Sequence, residues 1–261
     1  GIGMALGLLQ YLVGQKYLKH VGNFLGTSEN QVDKDAMNKP LTKIEKDRVI
    51  VLFISFLLVI VFWGAFEQAG GLMNIYAKEK TNRMLMGWEI PASWFQSLNA
   101  MFIIFLGTSV AAYWAKKKLK GKVATSLYKM IIGLIIMGTG FFFMSAASSQ
   151  FESQGSSAMY WLVLAYLFHT VGELCISPVA LSYITKLAPL KYGSLMMGIY
   201  FAMTGFGNKL AGLLGESAEG LGEFTVFTGI ALFCVLFGTL VMVFRKKLEI
   251  LTHGAEDDEH E

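Results

Sequence analysis

Charge is what this 261-residue chain lacks most: Asp, Glu, Lys and Arg together supply 16% of it, where a soluble domain carries about 25%. That shortage all but excludes a soluble globule. Two cysteines cannot build a disulfide framework or a four-cysteine metal site. Disorder and a collagen-like fibre are excluded by the same counts, because 54% of the residues are hydrophobic and proline numbers only 4. Several enzyme signatures are missing too. There is no H-E-x-x-H: the run H-T-V-G-E at 169–173 has no second histidine for zinc. No G-x-x-x-x-G-K-[ST] loop is present to hold ATP, and no G-x-S-x-G to present a nucleophilic serine. The chain is read as a non-enzyme without metal or organic cofactor, and no nucleic acid is expected as a partner.

What is present is apolar length. The mean hydropathy is +0.50, and charge-free stretches cover 49–66, 90–115, 130–151, 153–172, 192–208 and 224–244. Most are long enough to cross a bilayer as helices, which takes about 20 residues. The fold class expected is an all-α membrane protein. Its helices are placed at approximately 49–77, 92–115, 124–147, 158–184, 193–214 and 223–244. The first apolar run, ending near Gln15, is too short to cross alone and is read as the end of a helix that began earlier. That divides the chain into a helix end at 1–18, a loop at 19–48, a six-helix bundle at 49–244 and a tail at 245–261. From Leu248 to Glu261 the tail, with its acidic run, is expected to be solvated and disordered.

Lys and Arg resist translocation and so mark cytoplasmic loops. Seven lie between positions 16 and 48, six between 116 and 129, two at 186 and 191, and three at 245–247. The intervening loops hold only Lys78, Lys80 and Arg83. The alternation fits six crossings, with the loops around Asn82, Gln154 and Gly220 outside and the C-terminus in the cytoplasm of a multi-pass cell-membrane protein.

Glu67, Glu173 and Lys209 fall inside these spans, and His169 precedes Glu173 by one turn. A charged side chain at a helix centre costs roughly 2.5–3.5 kcal/mol on insertion scales, so such residues face a cavity or a partner. Two readings stand for each glutamate: an ion pair that locks helices together, or a proton or solute site. The second has a clear physical basis. A desolvated carboxyl titrates far above its reference value of about 4.3, so a cation that approaches or leaves switches its proton on and off, and the lipid bilayer becomes the barrier across which that switch works. Glu67 lies well inside a helix that runs to about 77; if the helix stopped at Gly70, it would sit at the interface.

Polar and aromatic groups recur near the acids at helical spacing. Trp63 precedes Glu67 by one turn, Ser177 follows Glu173 by one turn, and Tyr200 and Thr204 form another such pair. Asn99 interrupts a stretch of Phe, Ile and Leu with two donors and an acceptor. Pro178 removes an amide hydrogen below Glu173, which makes a gating hinge or a static bend. Cys175, Cys234 and the glycine patterns at 133–140 and 205–215 are read as packing.

Three runs carry a family resemblance: F-W-G-A-F-E-Q at 62–68, W-F-Q-S-L-N at 94–99 and, most specific, G-E-L-C-I-S-P-V-A-L-S-Y-I-T-K-L-A-P at 172–189. They resemble the C-terminal half of the proton-dependent oligopeptide transporters of the major facilitator superfamily. The resemblance covers nearly the whole chain, from the end of the sixth helix through the twelfth. It implies a fold of two six-helix bundles rocking about a central site, an activity of proton-driven di- and tripeptide import, and an N-terminal six-helix bundle as the partner of this one. It implies that Glu67 and Glu173 serve proton coupling. It also implies that Trp63, Asn99, Glu173, Ser177, Tyr200 and Thr204 line the substrate site, with Glu173 taking the peptide ammonium or a lysine of the first bundle. Protons are the coupling ion.

Two features depart from the family pattern. M-G-I-Y-F at 197–201 puts Tyr200 where a cavity tryptophan is usual, and Thr204 stands near a usual serine. The loop at 22–48 has no room for the two extra helices that many bacterial members insert between bundles. Two other readings stay open: a related carrier of nitrate or another small solute, and a non-transporting membrane scaffold or sensor.

Overall fold

The computed structural model describes residues 2–15, 40–121 and 124–256. It divides into two units, residues 1–41 and 42–261. In the first, α1 (Ile2–Gly14) is a single helix of 13 residues, about 20 Å long and shorter than the roughly 30 Å hydrocarbon core. The expected loop at 19–48 falls outside the described residues as far as position 39.

The second unit begins with α2 (Lys43–Phe66), several residues earlier than the apolar stretch that announces it. The reason is a capping box in T-K-I-E. The Thr42 hydroxyl accepts from the Glu45 amide at 3.2 Å, and the Thr42 amide donates to Glu45 Oε2 at 2.7 Å. The helix expected to run unbroken to 77 instead tightens to a 3-10 turn at Glu67–Ala69, then resumes as α3 (Leu72–Glu79). Gly70 and Gly71 both donate their amides to the Glu67 carbonyl, each at 3.2 Å. Without side chains there, the backbone changes pitch without a steric cost.

The chain then makes two short strands, β1 (Thr81–Asn82) and β2 (Met84–Leu85), and a third, β3 (Trp88–Glu89), that pairs antiparallel with β2. Next come α4 (Ser97–Leu119) and α5 (Ser126–Gln154). Strand β4 (Ser157–Ala158) leads into α6 (Met159–Leu187), and α7 (Gly193–Leu221) and α8 (Glu223–Ile250) complete the unit. Pro178 lies on the exposed side of α6, and the helix continues through it.

Among the described residues, five helical segments are long and apolar enough to cross a membrane: 43–79 taken as one path, 92–119, α5, α6 and α8. Helix α7 is 29 residues long but less apolar, with Lys209, Glu216 and Glu219 along it. Successive helices alternate in direction. At one end of the bundle β1 pairs with β4, and Lys80 bridges Glu223 at 2.5 Å, so the loops around 82, 154 and 220 meet. At the other end Arg48 Nε donates to the Thr252 carbonyl at 2.9 Å, and Thr125 donates to Glu249 at 2.5 Å. The six transits expected from loop charge therefore share two common ends.

The tail corrects an expectation. Helix α8 runs past the expected end near 244 to Ile250, and the chain expected to be disordered from 248 turns back through 251–256. Two amide contacts hold it: the Ser126 N–H donates to Glu256 Oε1 at 2.8 Å and to Oε2 at 3.2 Å. An acid at a helix N-terminus satisfies orphan amides and meets the positive end of the macrodipole, so one of the supposedly solvated acids caps α5. His253 meets Asp47 at 2.8 Å beside it. The remaining residues of the acidic run, 257–261, lie outside the described ones.

Helix α5 packs most extensively, against α6 and α8, while α2 packs on α7 and α4 on α6. Leu52, Phe56 and Phe62 of α2, Leu134, Met137 and Phe141 of α5, and Phe227 of α8 are fully buried among these contacts. Small residues bring backbones together. A Cβ on Gly172 would stand 2.7 Å from the Gly133 carbonyl, and one on Gly207 would stand 2.8 Å from Trp63 Cβ. The obstacle at Gly172 is backbone, which cannot step aside. Gly172→Val is therefore expected to destabilise the bundle by about 1–3 kcal/mol, read as a lower thermal-unfolding midpoint of the purified intact protein. An unchanged midpoint would mean that α5 and α6 do not meet there.

Candidate functional site

Helix α6 carries a polar stripe at Tyr166, Thr170, Glu173 and Ser177, successive positions on one face of a 3.6-residue helix. Helix α4 answers it with Asn99. The Asn99 amide nitrogen donates to Glu173 Oε2 at 2.7 Å and to Thr170 Oγ1 at 3.2 Å. Thr170 Oγ1 in turn donates to the Tyr166 carbonyl at 2.7 Å. Asn99 and Glu173 are both half-buried. Among the described residues no hydrogen bond reaches the second oxygen of the Glu173 carboxylate and no cation pairs with it. Such a carboxylate, oriented through one oxygen and open at the other, can receive an ammonium group. Ser177 is half-buried one turn on and makes no hydrogen bond among the described residues.

The second acid is connected to the first through α6. The Tyr166 hydroxyl donates to the Ala69 carbonyl at 3.0 Å, inside the 3-10 turn that begins with Glu67. Glu67 sits about two-thirds of the way along the 43–79 path, not at its end. Its half-buried side chain borders a cavity of about 500 Å³ between this turn and α7, shared with Gln68, Asn208, Ala211 and Glu216. Gln68 is almost fully buried and donates to the Ala211 carbonyl at 2.9 Å, which clamps the turn to α7. No cation pairs with Glu67 among the described residues.

A third group joins α2 to α7 one turn away. Trp63 lies beside Gly207, and the Trp63 and Thr204 side chains lie close to the Tyr200 hydroxyl. The Thr204 hydroxyl also donates to the Tyr200 carbonyl at 3.1 Å. Tyr200 is only 7% exposed, so in this conformation its ring packs against α2 more than it faces open space. The expected residues thus fall into a pair on α4 and α6 (Asn99 and Glu173), a triad on α2 and α7 (Trp63, Tyr200 and Thr204), and Glu67 at the helix break.

Two other ionisable groups from the spans fall elsewhere. Lys209 is exposed on α7. His169 is 1% exposed, packs against the Phe141 ring at 4.4 Å, and bonds through neither nitrogen among the described residues. Sequence reasoning missed Thr170, Tyr166 and Gln68. The first two were visible in principle, since they continue the Glu173–Ser177 face upward at helical spacing. Gln68, adjacent to Glu67, gave no signal of its own.

Comparison with known proteins agrees with this architecture. The model of the POT family matches residues 25–220. The peptide transporter YePEPT of Yersinia enterocolitica is 39% identical over 180 residues, covering 67% of this chain and 35% of that protein. The di-/tripeptide transporter of Lactococcus lactis is 27% identical over 214 residues, covering 79% of this chain and 42% of its own length. Among solved structures, a peptide transporter of the POT family in complex with sulfate superposes with a TM-score of 0.75 at 27% identity, over 95% of this chain and 52% of the other. The chain spans about a third to a half of the length of these relatives. With three quarters of its residues under the family model and a bundle that matches half of the family fold, this chain belongs to the POT family of secondary transporters.

Proposed function

We propose that the protein is a proton-coupled symporter that imports di- and tripeptides by alternating access, and that this chain carries the C-terminal half of the site. The observation that bears most weight is the Asn99–Glu173 pair, a carboxylate oriented by an amide and otherwise open. In this reading Glu173 takes the peptide ammonium, or a lysine of an N-terminal six-helix bundle when no peptide is present. Asn99 holds the carboxylate in place and shares the amino end. Trp63, Ser177, Tyr200 and Thr204 shape the walls around the side chains, and Pro178 is a point of flexure during rocking. Glu67 takes and releases the coupling proton, and its position at a helix break lets the local backbone adjust as it does so. The basic end of the bundle faces the cytoplasm, C-terminus included, because most of its described cationic residues, at 43–48, 116–120, 186–191 and 245–247, lie in the loops at that end.

The relatives named as peptide transporters support the substrate class, and the polar stripe on α6 supports an ammonium-bearing solute over a simple anion. Uptake of a labelled dipeptide into liposomes containing the intact protein is expected to follow an imposed proton gradient and to collapse with an uncoupler. Uptake indifferent to the uncoupler would remove the coupling. Unlabelled tripeptide is expected to compete, and competition by nitrate instead would transfer the protein to the anion-carrying reading.

A further inference from the structure

Outside the candidate site, the clearest unassigned feature is a groove of about 450 Å³ between α4, α5 and α6. Its lining changes character along its length. At one end stand Tyr113, Trp114 and Lys117 of α4 and Tyr128 of α5; at the other stand Val110, Ile132, Ile136 and Val171. Tyr128, Ile132 and Ile136 form one stripe of α5, about 12 Å long at a rise of 1.5 Å per residue. Helix α4 runs antiparallel to it over the same length. The polar end coincides with the lysine-rich end of the bundle, and the apolar end reaches toward its middle.

The polar end holds a cation that pairs with no anion among the described residues. Lys117 Nζ lies 5.0 Å from the centre of the Trp114 ring, 4.4 Å from that of Tyr128 and 5.9 Å from that of Tyr113. Its only hydrogen-bond partner among the described residues is the neutral Tyr128 hydroxyl, at 3.3 Å. The guanidinium of Arg245 lies 5.0 Å above the other participant, the Tyr128 ring. The acids on this end are engaged elsewhere: Glu249 accepts from Thr125 and lies 3.5 Å from Arg245, and Glu256 caps α5. Trp114 is 8% exposed; its indole N–H is buried beside Cys175, and its ring forms part of the groove wall. A half-buried cation and a phenol, flanked by the Trp114 ring, therefore stand at the mouth of an apolar channel.

We propose that this groove binds one anionic glycerophospholipid, its phosphate at Lys117 and Tyr128 and an acyl chain along Val110, Ile132, Ile136 and Val171. Charge complementarity selects the headgroup, since a phosphodiester accepts from the Lys117 ammonium and the Tyr128 hydroxyl, and a zwitterionic lipid would bring its own cation against Lys117 and Arg245. The graded lining selects a lipid over a soluble phosphate, which could not use the channel below.

The test uses the intact protein in liposomes and reads quenching of Trp114 by lipids brominated high on the acyl chain. The Trp114 signal is the difference between the wild type and Trp114→Phe. Brominated phosphatidylglycerol is expected to quench it about fivefold more effectively than brominated phosphatidylcholine at equal content, the preference one basic side chain near an anionic headgroup supports. Equal quenching by the two lipids overturns the proposal, as does quenching by neither, which would mean that protein covers the groove. Lys117→Gln is expected to abolish the preference while Lys120→Gln, at the same end but outside the groove, preserves it. Equal loss in both would reduce the effect to general surface charge and overturn the site. Added inorganic phosphate is expected to leave quenching unchanged, and displacement by it would reassign the cation to a soluble anion.

Discussion

Glu173→Gln in the intact transporter is expected to weaken dipeptide binding about 10- to 100-fold, because a hydrogen bond to a charged group is worth roughly 1.5–3 kcal/mol and every 1.4 kcal/mol is a factor of ten. The substitution isolates charge from shape. A glutamine carbonyl can still accept from Asn99, so the 2.7 Å link between α4 and α6 has a replacement and the fold keeps its local packing. What disappears is the negative oxygen left open to a cation. Calorimetry on the detergent-purified protein reads the loss directly, and a thermal shift on adding peptide reads it by linkage. Wild-type affinity in this variant would refute the ammonium contact. Unaltered unfolding without ligand, paired with lost affinity, would separate the binding role from a structural one.

Glu67→Gln is expected to separate exchange from accumulation. Counterflow, in which labelled peptide outside exchanges for unlabelled peptide inside, needs only that the loaded carrier change shape, and it should persist. Accumulation needs a group that gains a proton on one side and loses it on the other. A membrane potential of 100 mV acting on one proton supplies about 2.3 kcal/mol, enough for roughly 50-fold accumulation. The variant should bring that ratio to about one. Full accumulation would move the proton site elsewhere, with Glu173 the next acid in line. The position of Glu67 makes the expectation reasonable: it lies at a pitch change in the helix, borders a cavity, and meets no fixed cation among the described residues. A carboxyl locked in a static ion pair would show the opposite surroundings.

These two acids illustrate how differently two residues can be legible. Both announced themselves by cost, since a carboxylate amid apolar neighbours is expensive wherever the chain folds. Their company did not. Asn99 is far from Glu173 in sequence, and only the crossing of α4 over α6 makes them partners. Thr170 and Tyr166 shared the helix face of Glu173 and were readable from spacing alone, but their use as a link toward Ala69 depended on where the 3-10 turn came to rest. The unbroken helix expected to 77 failed for a local reason: Gly70 and Gly71 tolerate both continuation and a pitch change, and packing against α7 through Gln68 and Ala211 selected the second. The tail misled through composition. Acids in a run look solvated, yet Glu256 had an orphan helix terminus to satisfy.

By itself the sequence determined that this is a membrane protein of alternating helices, which family it resembles, and which charges need explaining. These are consequences of transfer free energy and residue order, and both are properties of a chain read one segment at a time. Only the tertiary structure decided which polar groups meet, where the 43–79 path breaks, that the Trp63 side chain lies beside the Tyr200 hydroxyl, and that a cation-lined groove opens beside α5. Hydrogen bonds and close contacts between helices act over about 3–4 Å, and no periodicity within one helix carries the distance to the next.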